Sequence, residues 1–433
     1  MQPGIQSNSL HTASSLADDE LRIRVRDLLF KNLSQGYSPL LRKHYCFIQP
    51  SPRTYPYQFW WDTCFHVFML CRLGEYELAK KNLRSLFAMQ EDNGFVGHMT
   101  FWRKLIPTHY SDVLQARPTF LNLRPHMSAL IQPPLVAQAL ARIYQSTRDS
   151  WFLREMLPKL KNYFEWLARE RDFEDHGLIS IISPVESGMD FKASYDTVVG
   201  YSGRGGRLRL YWNAAIKVDG ANFMDRYDLA RIYAAQRFIV QDVLINTFHA
   251  QDLRVLAQLC RMASDESATL FERRADQAAS AILEHMFDEK RLAFFDTKGP
   301  DHRHLPTLTF TSVIPLLLPD VPPSLARRII ERHLLNPNEF ALRYPVPSLA
   351  ASERAFDARA SRYLWRGPTW AVANWSLFHA CRQRGFDDIA LALGNSLREL
   401  VAQSGFREYY NPFTGEGCGA HDFTWSGLIL DMV

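Results

Sequence analysis

Helical periodicity dominates this chain of 433 residues and restricts the folds that it can adopt. Apolar side chains recur at i, i+3 and i+4 spacing from Asp18 to Asn32 and from Tyr76 to Phe87, which is the pattern of amphipathic helices. The same spacing predicts helices, in adjacent pairs, over residues 62–73, 128–146, 149–168, 225–247, 250–264, 266–286, 322–334, 368–384, 386–402 and 422–432. Strand signals are few, and the clearest is the apolar run 178–182. We therefore predict an all-α chain of about a dozen helices.

Long segments rich in Gly, Pro and aromatic residues separate the helix pairs. They are predicted to be loops over residues 34–60, 91–127, 183–222, 335–367 and 403–421. Loops of this length inside a compact domain are usually functional or disordered. Helix pairs that alternate with such loops indicate two concentric layers of helices, with the loops gathered at one end. No break in composition divides the chain, so we expect a disordered lead over residues 1–17 and a single catalytic domain over 18–433.

Charge and cysteine usage exclude several classes of protein. The formal net charge is only +4, with both signs interspersed, so no nucleic-acid-binding face is expected. No stretch approaches the ~20 apolar residues of a membrane helix, and the N-terminus has no signal-peptide pattern. The six Cys are scattered without CxxC pairs, and the His lack ligand spacing, so neither a disulfide framework, a metal nor another cofactor is expected. These features favour a reduced, cytoplasmic protein and leave a homo-oligomer open.

Aromatic side chains crowd into a few loop segments that also carry carboxylates. They make up 13% of the chain, with ten Trp. In the segment 55–66, Asp62 lies among aromatic residues at the start of a helical run. It is either a helix cap or a carboxylate that binds sugar hydroxyls while Trp60 or Trp61 packs on the sugar ring.

A second carboxylate follows the apolar run 178–182 directly. Asp190 lies between Met189 and Phe191. The segment is either an ordinary turn or the source of a catalytic acid, because an apolar surround raises the pKa of a carboxyl group. Glycosidic cleavage needs such a group to protonate the leaving oxygen.

Two further segments complete the set. In residues 363–370, Arg366 lies between Trp365 and Gly367, where its planar donors either tie down a loop or contact a ligand. In residues 407–427, Glu408 precedes aromatic residues and a glycine-rich turn that lacks phosphate-loop spacing. Glu408 is therefore a candidate second carboxylate, which different loops of one rim would bring close to the first.

Taken together, these motifs resemble those of a known enzyme family. ESGMD (186–190), WRGPTW (365–370) with the following Asn374, EYYNPFTGEGCG (408–419) leading to FTWSG, and WWDTCFH (60–66) are similar to motifs of clan G glycosidases. The similarity is to the small members of glycoside hydrolase family 63 and the mannosylglycerate hydrolase-like group. The motifs occur in the family's order. The resemblance implies an (α/α)6 barrel and an inverting exo-acting α-glycosidase that hydrolyses a short α-glucoside or α-mannoside.

The resemblance also implies roles for individual residues. Asp190 matches the general acid and Glu408 the general base, and inversion requires ~6.5–9.5 Å between their carboxyl groups to admit a water. The residues implied at the sugar are Tyr57, Trp60, Trp61, Asp62, His98, Gln132, Glu186, Gly188, Trp365, Arg366, Trp370, Asn374, Tyr409 and Trp425.

This chain departs from the family pattern in two places. After ESGMD the family usually continues with Asn-Ser-Pro, whereas here Phe191-Lys192-Ala193-Ser194 follows. Residues 201–220 are rich in Gly and Arg, which indicates either a solvated flexible loop or an anion-binding lid. In the second case Arg207 or Arg209 would hold the carboxylate of a glucosylglycerate or mannosylglycerate.

Several functions are weighed on this basis. We prefer a hydrolase of small glycosylglycerates, with an α-glucosidase or trehalase-like hydrolase of a neutral disaccharide as the alternative. A non-catalytic carbohydrate-binding barrel is a third candidate, but the presence of both Asp190 and Glu408 argues against it. Glu408 at the base position also favours water over phosphate as the nucleophile.

Overall fold

The computed structural model describes residues 17–103, 110–116, 126–201, 208–358 and 365–432. Except for Ala17, the predicted N-terminal lead 1–17 lies outside these residues. The α-helices are α1 Asp18–Lys31, α2 Trp60–Leu73, α3 Tyr76–Phe87, α4 Tyr110–Leu114, α5 Val136–Thr147, α6 Ser150–Glu170, α7 Leu208–Met224, α8 Leu229–Ala235, α9 Val243–Met262, α10 Ala268–Ala281, α11 Pro323–Ile329, α12 Ala371–Gln383 and α13 Asp387–Ser404. Shorter 3₁₀ helices are Pro184–Ser187, Ala193–Tyr195, Phe310–Leu317 and Thr424–Asp431, and π-helical turns are Ile282–Met286 and Ile330–Leu334.

Among the described residues, six helices pack side by side in a closed inner ring. In order around the ring they are α2, α5, α9, the 3₁₀ helix Phe310–Leu317, α12 and the 3₁₀ helix Thr424–Asp431, which packs back against α2. Helices α1, α3, α6, α10, α11 and α13 form the outer layer, and inner and outer helices alternate along the chain. The fold is an (α/α)6 barrel, so the predicted fold class is confirmed.

Burial explains which helices are inner and which are outer. Inner helix α2 is buried along nearly its whole length, from Trp60 to Cys71, as expected for a helix that is apolar all round. Outer helix α3 buries mainly the stripe that includes Ala79, Leu83 and Leu86. No helix in the described part of the chain combines the length and apolarity that crossing a bilayer requires.

The strands are short and pair locally. They are β1 Leu33–Ser38, β2 Lys43–Ile48, β3 Gln58–Phe59, β4 Met99–Thr100, β5 Val240–Gln241, β6 Phe287–Asp288, β7 Ala293–Phe294, β8 Thr297–Lys298, β9 Arg303–His304, β10 Arg407–Tyr410 and β11 Gly417–His421. All pairs are antiparallel, in the orders β1-β2, β3-β4, β5-β8-β9, β6-β7 and β10-β11. Two of these hairpins, β1-β2 and β10-β11, occupy segments that were predicted to be loops.

The strand prediction over residues 178–182 is wrong. Only Ile181 pairs, in an isolated bridge with Val240, and the rest of the run is buried irregular chain. Its backbone groups bond to individual partners and not to a neighbouring strand. The Ile179 N–H, for example, donates to the Asn246 side chain at 2.8 Å. A short apolar run signals burial, and periodicity alone does not say in which conformation.

The predicted helix over 225–247 is also wrong, and so is the predicted loop over 183–222 from residue 208 onward. The first is interrupted, because Gln236 adopts a left-handed backbone with φ 48° and the Asp242 side chain caps α9 by accepting from Ile245 N–H. The second holds most of α7, whose buried residues Tyr211, Ala215 and Asn222 keep helical spacing. The glycine- and arginine-rich residues 203–207, which come directly before α7, concealed that spacing.

Candidate active site

A cavity of about 440 Å³ opens at one end of the barrel. It lies where inner helices begin, since its wall includes Asp62 in the first turn of α2, Gln132 just before α5 and Trp370 just before α12. The full wall consists of Pro50, Thr54, Tyr55, Tyr57, Phe59, Trp61, Asp62, His98, Met99, Ser111, Asp112, Gln115, Gln132, Val185, Gly188, Asp190, Trp212, Trp365, Trp370, Glu408, Phe423 and Trp425. Asp190 and Glu408 thus line the same cavity.

Glu408 is held in place by two hydrogen-bond donors. Its Oε1 accepts from the Tyr55 hydroxyl at 2.8 Å, and its Oε2 accepts from the Ala420 backbone N–H at 2.7 Å. The β10-β11 pairing shifts register at this residue, between Arg407 and Tyr409, and such bulges re-aim side chains beside active sites. Burial raises the pKa of Glu408 above its ordinary value, although the donors on Ala420 and Tyr55 act to lower it.

The surroundings of Asp190 differ from those of Glu408 in their hydrogen bonds. Among the described residues no group donates a hydrogen bond to its carboxyl. Burial raises its pKa to about 7, and the negative charges of Glu408, Asp219 and Asp112 act in the same direction. The pKa of Asp190 therefore lies near neutrality, where its protonated form is available, whereas the two donors to Glu408 favour the ionised form of that group. Different surroundings of this kind are how two carboxyl groups in one site take the roles of acid and base.

Asp62 is a third carboxyl group in the cavity, and its predicted capping role is not observed. Helix α2 begins at Trp60 with Phe59 as the capping residue, and no side chain caps it. Asp62 is 3% exposed, and burial raises its pKa to about 8 against the opposing effect of the Trp425 indole. A protonated Asp62 can donate a hydrogen bond to a ligand hydroxyl as well as accept one.

Four tryptophans form a continuous aromatic wall. The rings of Trp365 and Trp370 stack at 3.8 Å with 7° between their planes. Trp425 packs on both of them and meets Trp61 edge to face at 4.8 Å. Gly188 lies directly against Trp61, since a methyl group added there would stand 2.3 Å from Cζ2 of that ring. Such flat apolar faces suit the C–H surface of a sugar ring.

Neutral polar groups complete the predicted set at the cavity. His98 Nδ1 hydrogen-bonds the Ser128 hydroxyl at 2.6 Å, and burial lowers the His98 pKa to about 3, which keeps the ring uncharged. The Gln132 side chain accepts from the Trp61 backbone N–H at 3.3 Å. Tyr57 meets Phe101 edge to face at 4.8 Å beside them.

Two residues of the predicted sugar site lie elsewhere. Trp60 packs behind the cavity against Phe87 and Tyr163. Glu186 is fully buried and pairs with Arg171 through both carboxylate oxygens, at 2.5 and 2.9 Å. Its oxygens also accept backbone N–H groups, including that of Ile131. Glu186 therefore anchors loops beneath the site, which corrects its predicted contact with the sugar.

Three more predicted residues support the wall from behind. Arg366 forms a two-pronged ion pair with Asp196, so the loop-fixing interpretation of this arginine holds in the structure. Asn374 donates to the Trp370 carbonyl at 3.4 Å. Tyr409 packs on Trp370 with 4.9 Å between ring centroids. These side chains lie behind the cavity wall.

Several wall residues received no role from the sequence. Tyr55 was noticed only as an aromatic of its segment, and Trp212 lies on α7, which was predicted to be a loop. Asp112 and Gln115 come from the short helix α4 and the residue after it. Gln115 donates to the buried Asp219 at 2.9 Å. The i, i+4, i+7 spacing of Tyr211, Ala215 and Val218 was the signal that could have revealed α7.

The two candidate anion contacts have different outcomes. Arg207 lies outside the described residues. Arg209 is exposed in the first turn of α7, three residues before Trp212, which lines the cavity. The segment 201–220, predicted to be either a flexible loop or a lid, therefore contains a helix from residue 208 onward.

Comparison with known proteins agrees with this geometry. Residues 55–426 match the model of the mannosylglycerate hydrolase MGH1-like glycoside hydrolase domain. The chain belongs to this glycoside hydrolase family. The predicted glycosidase is thereby confirmed, and the matched range includes both catalytic candidates and, apart from Gly427, all four motif segments of this glycoside hydrolase.

Individual relatives span nearly the same length. A mannosylglycerate hydrolase of Rubrobacter radiotolerans is 29% identical over 425 residues, covering 89% of this chain and 93% of that protein. A glucosylglycerate hydrolase of Mycolicibacterium hassiacum is 26% identical, covering 88% and 93%. The crystal structure of the GH63 mannosylglycerate hydrolase from Thermus thermophilus in complex with Tris and D-glycerate superposes with a TM-score of 0.83 at 25% identity, covering 95% of this chain and 99% of that one.

Proposed function

We propose that this enzyme is an inverting, exo-acting α-glycosidase in which Asp190 is the general acid and Glu408 the general base. The observation that carries the proposal is the contrast between the two carboxyl groups of one cavity. Glu408 receives two hydrogen bonds, whereas burial and neighbouring negative charge raise the pKa of Asp190 to about 7. We further propose that residues 18–433 act as one catalytic domain.

The reaction follows from these assignments. Protonated Asp190 gives its proton to the glycosidic oxygen as the bond to the anomeric carbon breaks. Glu408 takes a proton from a water molecule, and the water oxygen attacks the anomeric carbon from the opposite face. An α-linked substrate therefore yields the β-anomer of the free sugar. The two carboxyl groups end with exchanged protonation states, which solvent then restores.

Proton NMR of the anomer released first tests the stereochemistry. The β-anomer is expected from an α-linked substrate, and first release of the α-anomer would overturn inversion. Glu408→Gln removes the base, and we expect a loss of about 10²-fold or more in kcat. Full activity of Glu408→Gln would exclude Glu408 as the base.

For the substrate, we propose a small α-glycoside of glycerate. Support comes from the relatives named mannosylglycerate and glucosylglycerate hydrolase and from the similar structure obtained with D-glycerate. Arg207 and Arg209 are the proposed partners of the glycerate carboxylate, since guanidinium groups bind carboxylates in a planar two-point fashion.

A neutral α-linked disaccharide is the second candidate, and one observation favours it. Within the described part of the cavity wall there are four carboxyl groups, on Asp62, Asp112, Asp190 and Glu408, and no Lys or Arg. A carboxylate-bearing substrate would need a cation from another part of the chain to offset repulsion.

One set of assays separates the two candidates. The purified enzyme is tested on glucosylglycerate, mannosylglycerate, trehalose, kojibiose and nigerose. If Arg209 or Arg207 binds the carboxylate, alanine at that position raises KM for the acidic substrates far more than for the neutral ones. Lys217→Ala, at an exposed position of the same helix, is the control. Equal effects on acidic and neutral substrates would exclude the anion contact.

We also propose a cytoplasmic location. The six cysteines are free, and five of them are buried, as suits a protein kept under reducing conditions. Cell fractionation with an antibody to the native protein tests this, and recovery outside the cytoplasmic fraction would refute it.

A further inference from the structure

A lysine lies buried two residues after the proposed general acid. Lys192 is 1% exposed, and its ammonium group binds Asp242 and Asp296 at 2.5 and 2.7 Å. The hydroxyl of Tyr195 donates to Asp242 at 2.6 Å, and that of Ser194 donates to Asp296 at 2.6 Å. We call these five side chains the Lys192 cluster. Two of its members, Lys192 and Ser194, lie where the sequence departs from the Asn-Ser-Pro that usually follows ESGMD.

The cluster fastens this segment to the barrel. Asp242 is the capping residue of inner helix α9 and accepts from Ile245 N–H at 3.0 Å. Asp296 accepts from Val243 N–H at 2.9 Å. Although burial acts to raise it, the pKa of Asp242 is below its ordinary value, because the Lys192 ammonium and the Tyr195 hydroxyl stabilise the carboxylate. Removing one partner from such a buried ion pair is strongly destabilising, so the segment has little freedom to move.

Phe191, between Asp190 and Lys192, has a strained backbone that its surroundings must hold in place. Phe191 has φ 67°, a left-handed conformation that is unfavourable for a bulky side chain. Its ring stacks on Trp212 at 5.5 Å with 20° between the planes, so the ring is fixed on one side while Lys192 is fixed on the other. Strained backbone persists only where the surroundings hold it, and it is concentrated at functional sites.

We propose that the Lys192 cluster is a positioning device that holds the strained turn at Phe191 and thereby aims the carboxyl group of Asp190 at the glycosidic oxygen. This rests on the proposed role of Asp190 as general acid. Asp190 accepts no hydrogen bond from the described residues, so its direction is set by the backbone that carries it. Lys192, Ser194, Tyr195, Asp242 and Asp296 act through that backbone and make no contact with the substrate.

Substrates with different leaving groups can show whether the Lys192 cluster positions Asp190 or only stabilises the fold. A sugar or glycerate hydroxyl is a poor leaving group and needs protonation by the acid, whereas fluoride departs with little assistance. Misplacement of Asp190 therefore slows hydrolysis of the α-glycoside and leaves hydrolysis of the matching α-glycosyl fluoride nearly unchanged. General loss of active-site structure slows both.

The experiment compares kcat for the two substrates in Ser194→Ala, Tyr195→Phe and Lys192→Met. We expect each variant to lose about tenfold or more in kcat on the glycoside and less than about twofold on the fluoride. Ser194→Ala and Tyr195→Phe each remove one hydroxyl, so they keep the test valid if Lys192→Met does not fold. Thr247→Val, which removes a buried hydroxyl hydrogen bond to Val243 within α9, is the control and should preserve both activities.

Two outcomes contradict the positioning role. Equal losses on glycoside and fluoride would show that the cluster supports the fold alone, and unchanged kcat on the glycoside in Ser194→Ala and Tyr195→Phe would show that it does not aim Asp190. Asp190→Asn examines the underlying assignment independently. It should abolish glycoside hydrolysis and retain fluoride hydrolysis, and retained glycoside hydrolysis would refute the acid assignment itself rather than the role of the cluster.

Discussion

The hydroxyl group of Tyr55 donates a hydrogen bond of 2.8 Å to Oε1 of Glu408, across 353 residues of sequence. This bond favours the ionised form of Glu408 and so acts to lower its pKa. It links the segment before α2 to the β10-β11 hairpin at the wall of the cavity. The proposed base therefore depends on a tyrosine that the sequence motifs did not identify.

Tyr55→Phe is expected to lower kcat by about tenfold and to move the acidic limb of the pH–rate profile to higher pH. The reason is that Glu408 loses a donor that stabilises its charge. Tyr344→Phe, which removes a 2.9 Å bond to Glu399, is the matched control and should leave the profile in place. An unmoved acidic limb in Tyr55→Phe would contradict the role given to this bond.

The pH dependence of kcat/KM should show an alkaline limb near the pKa of Asp190, about 7. Because the acid must be protonated to act, activity falls as pH rises through this value. On the acidic side, activity falls as Glu408 takes up a proton. With an α-glycosyl fluoride, which needs no proton donor, the alkaline limb should disappear. A persistent alkaline limb on that substrate would assign it to another group.

Asp62 should make the folded protein less stable at high pH. Its pKa is about 8 when folded against 3.8 as the ordinary value, so between these values the folded state binds more protons and stability falls as pH rises. Asp62→Asn removes this effect, and its Tm should exceed that of the unmodified protein by ~2 °C or more at about pH 9. Asp388→Asn, at an exposed position, is the control. The same Tm difference at about pH 4 and pH 9 would refute the linkage.

Gly188→Ala is expected to destabilise the protein and to reduce activity. Gly188 has φ 70°, and an added methyl group would meet the Trp61 ring at 2.3 Å. Gly385 has φ 75° with open space around it, so Gly385→Ala isolates the backbone penalty of about 1–2 kcal/mol. A loss of stability in Gly188→Ala no greater than that in Gly385→Ala would show that the contact with Trp61 is unimportant. Circular dichroism melts and kcat/KM measure both effects.

The barrel could be predicted because its helices follow rules that act over a few residues. Apolar spacing located α3 and α6 to within a few positions. It failed at α7, because the glycine- and arginine-rich residues just before the helix favoured a loop despite the helical spacing of Tyr211 and Ala215. It also failed at the run 178–182, where the apolar residues indicated burial but not conformation. The latter is decided by the distant Val240 and Asn246, whose bonds no local pattern specifies.

The site was predicted in part for a similar reason. Motifs identified Asp190, Glu408 and the tryptophan wall as one group, but they did not separate residues that face the cavity from those that support it. Glu186 lies in the same motif as Asp190, yet it is neutralised by Arg171 beneath the site. Trp212 was missed because its role depends on a helix that spacing rules had not located.

The common direction of the inner helices has an electrostatic consequence. The starts of α2, α12 and the helix Thr424–Asp431 meet the cavity, and a helix start carries a partial charge of up to about +0.5 from its aligned peptide dipoles. This positive backbone charge partly offsets the negative charge of the carboxyl groups in the described wall, which contains no Lys or Arg side chain. Since this potential comes from the peptide groups themselves, single side-chain substitutions in the wall leave it in place.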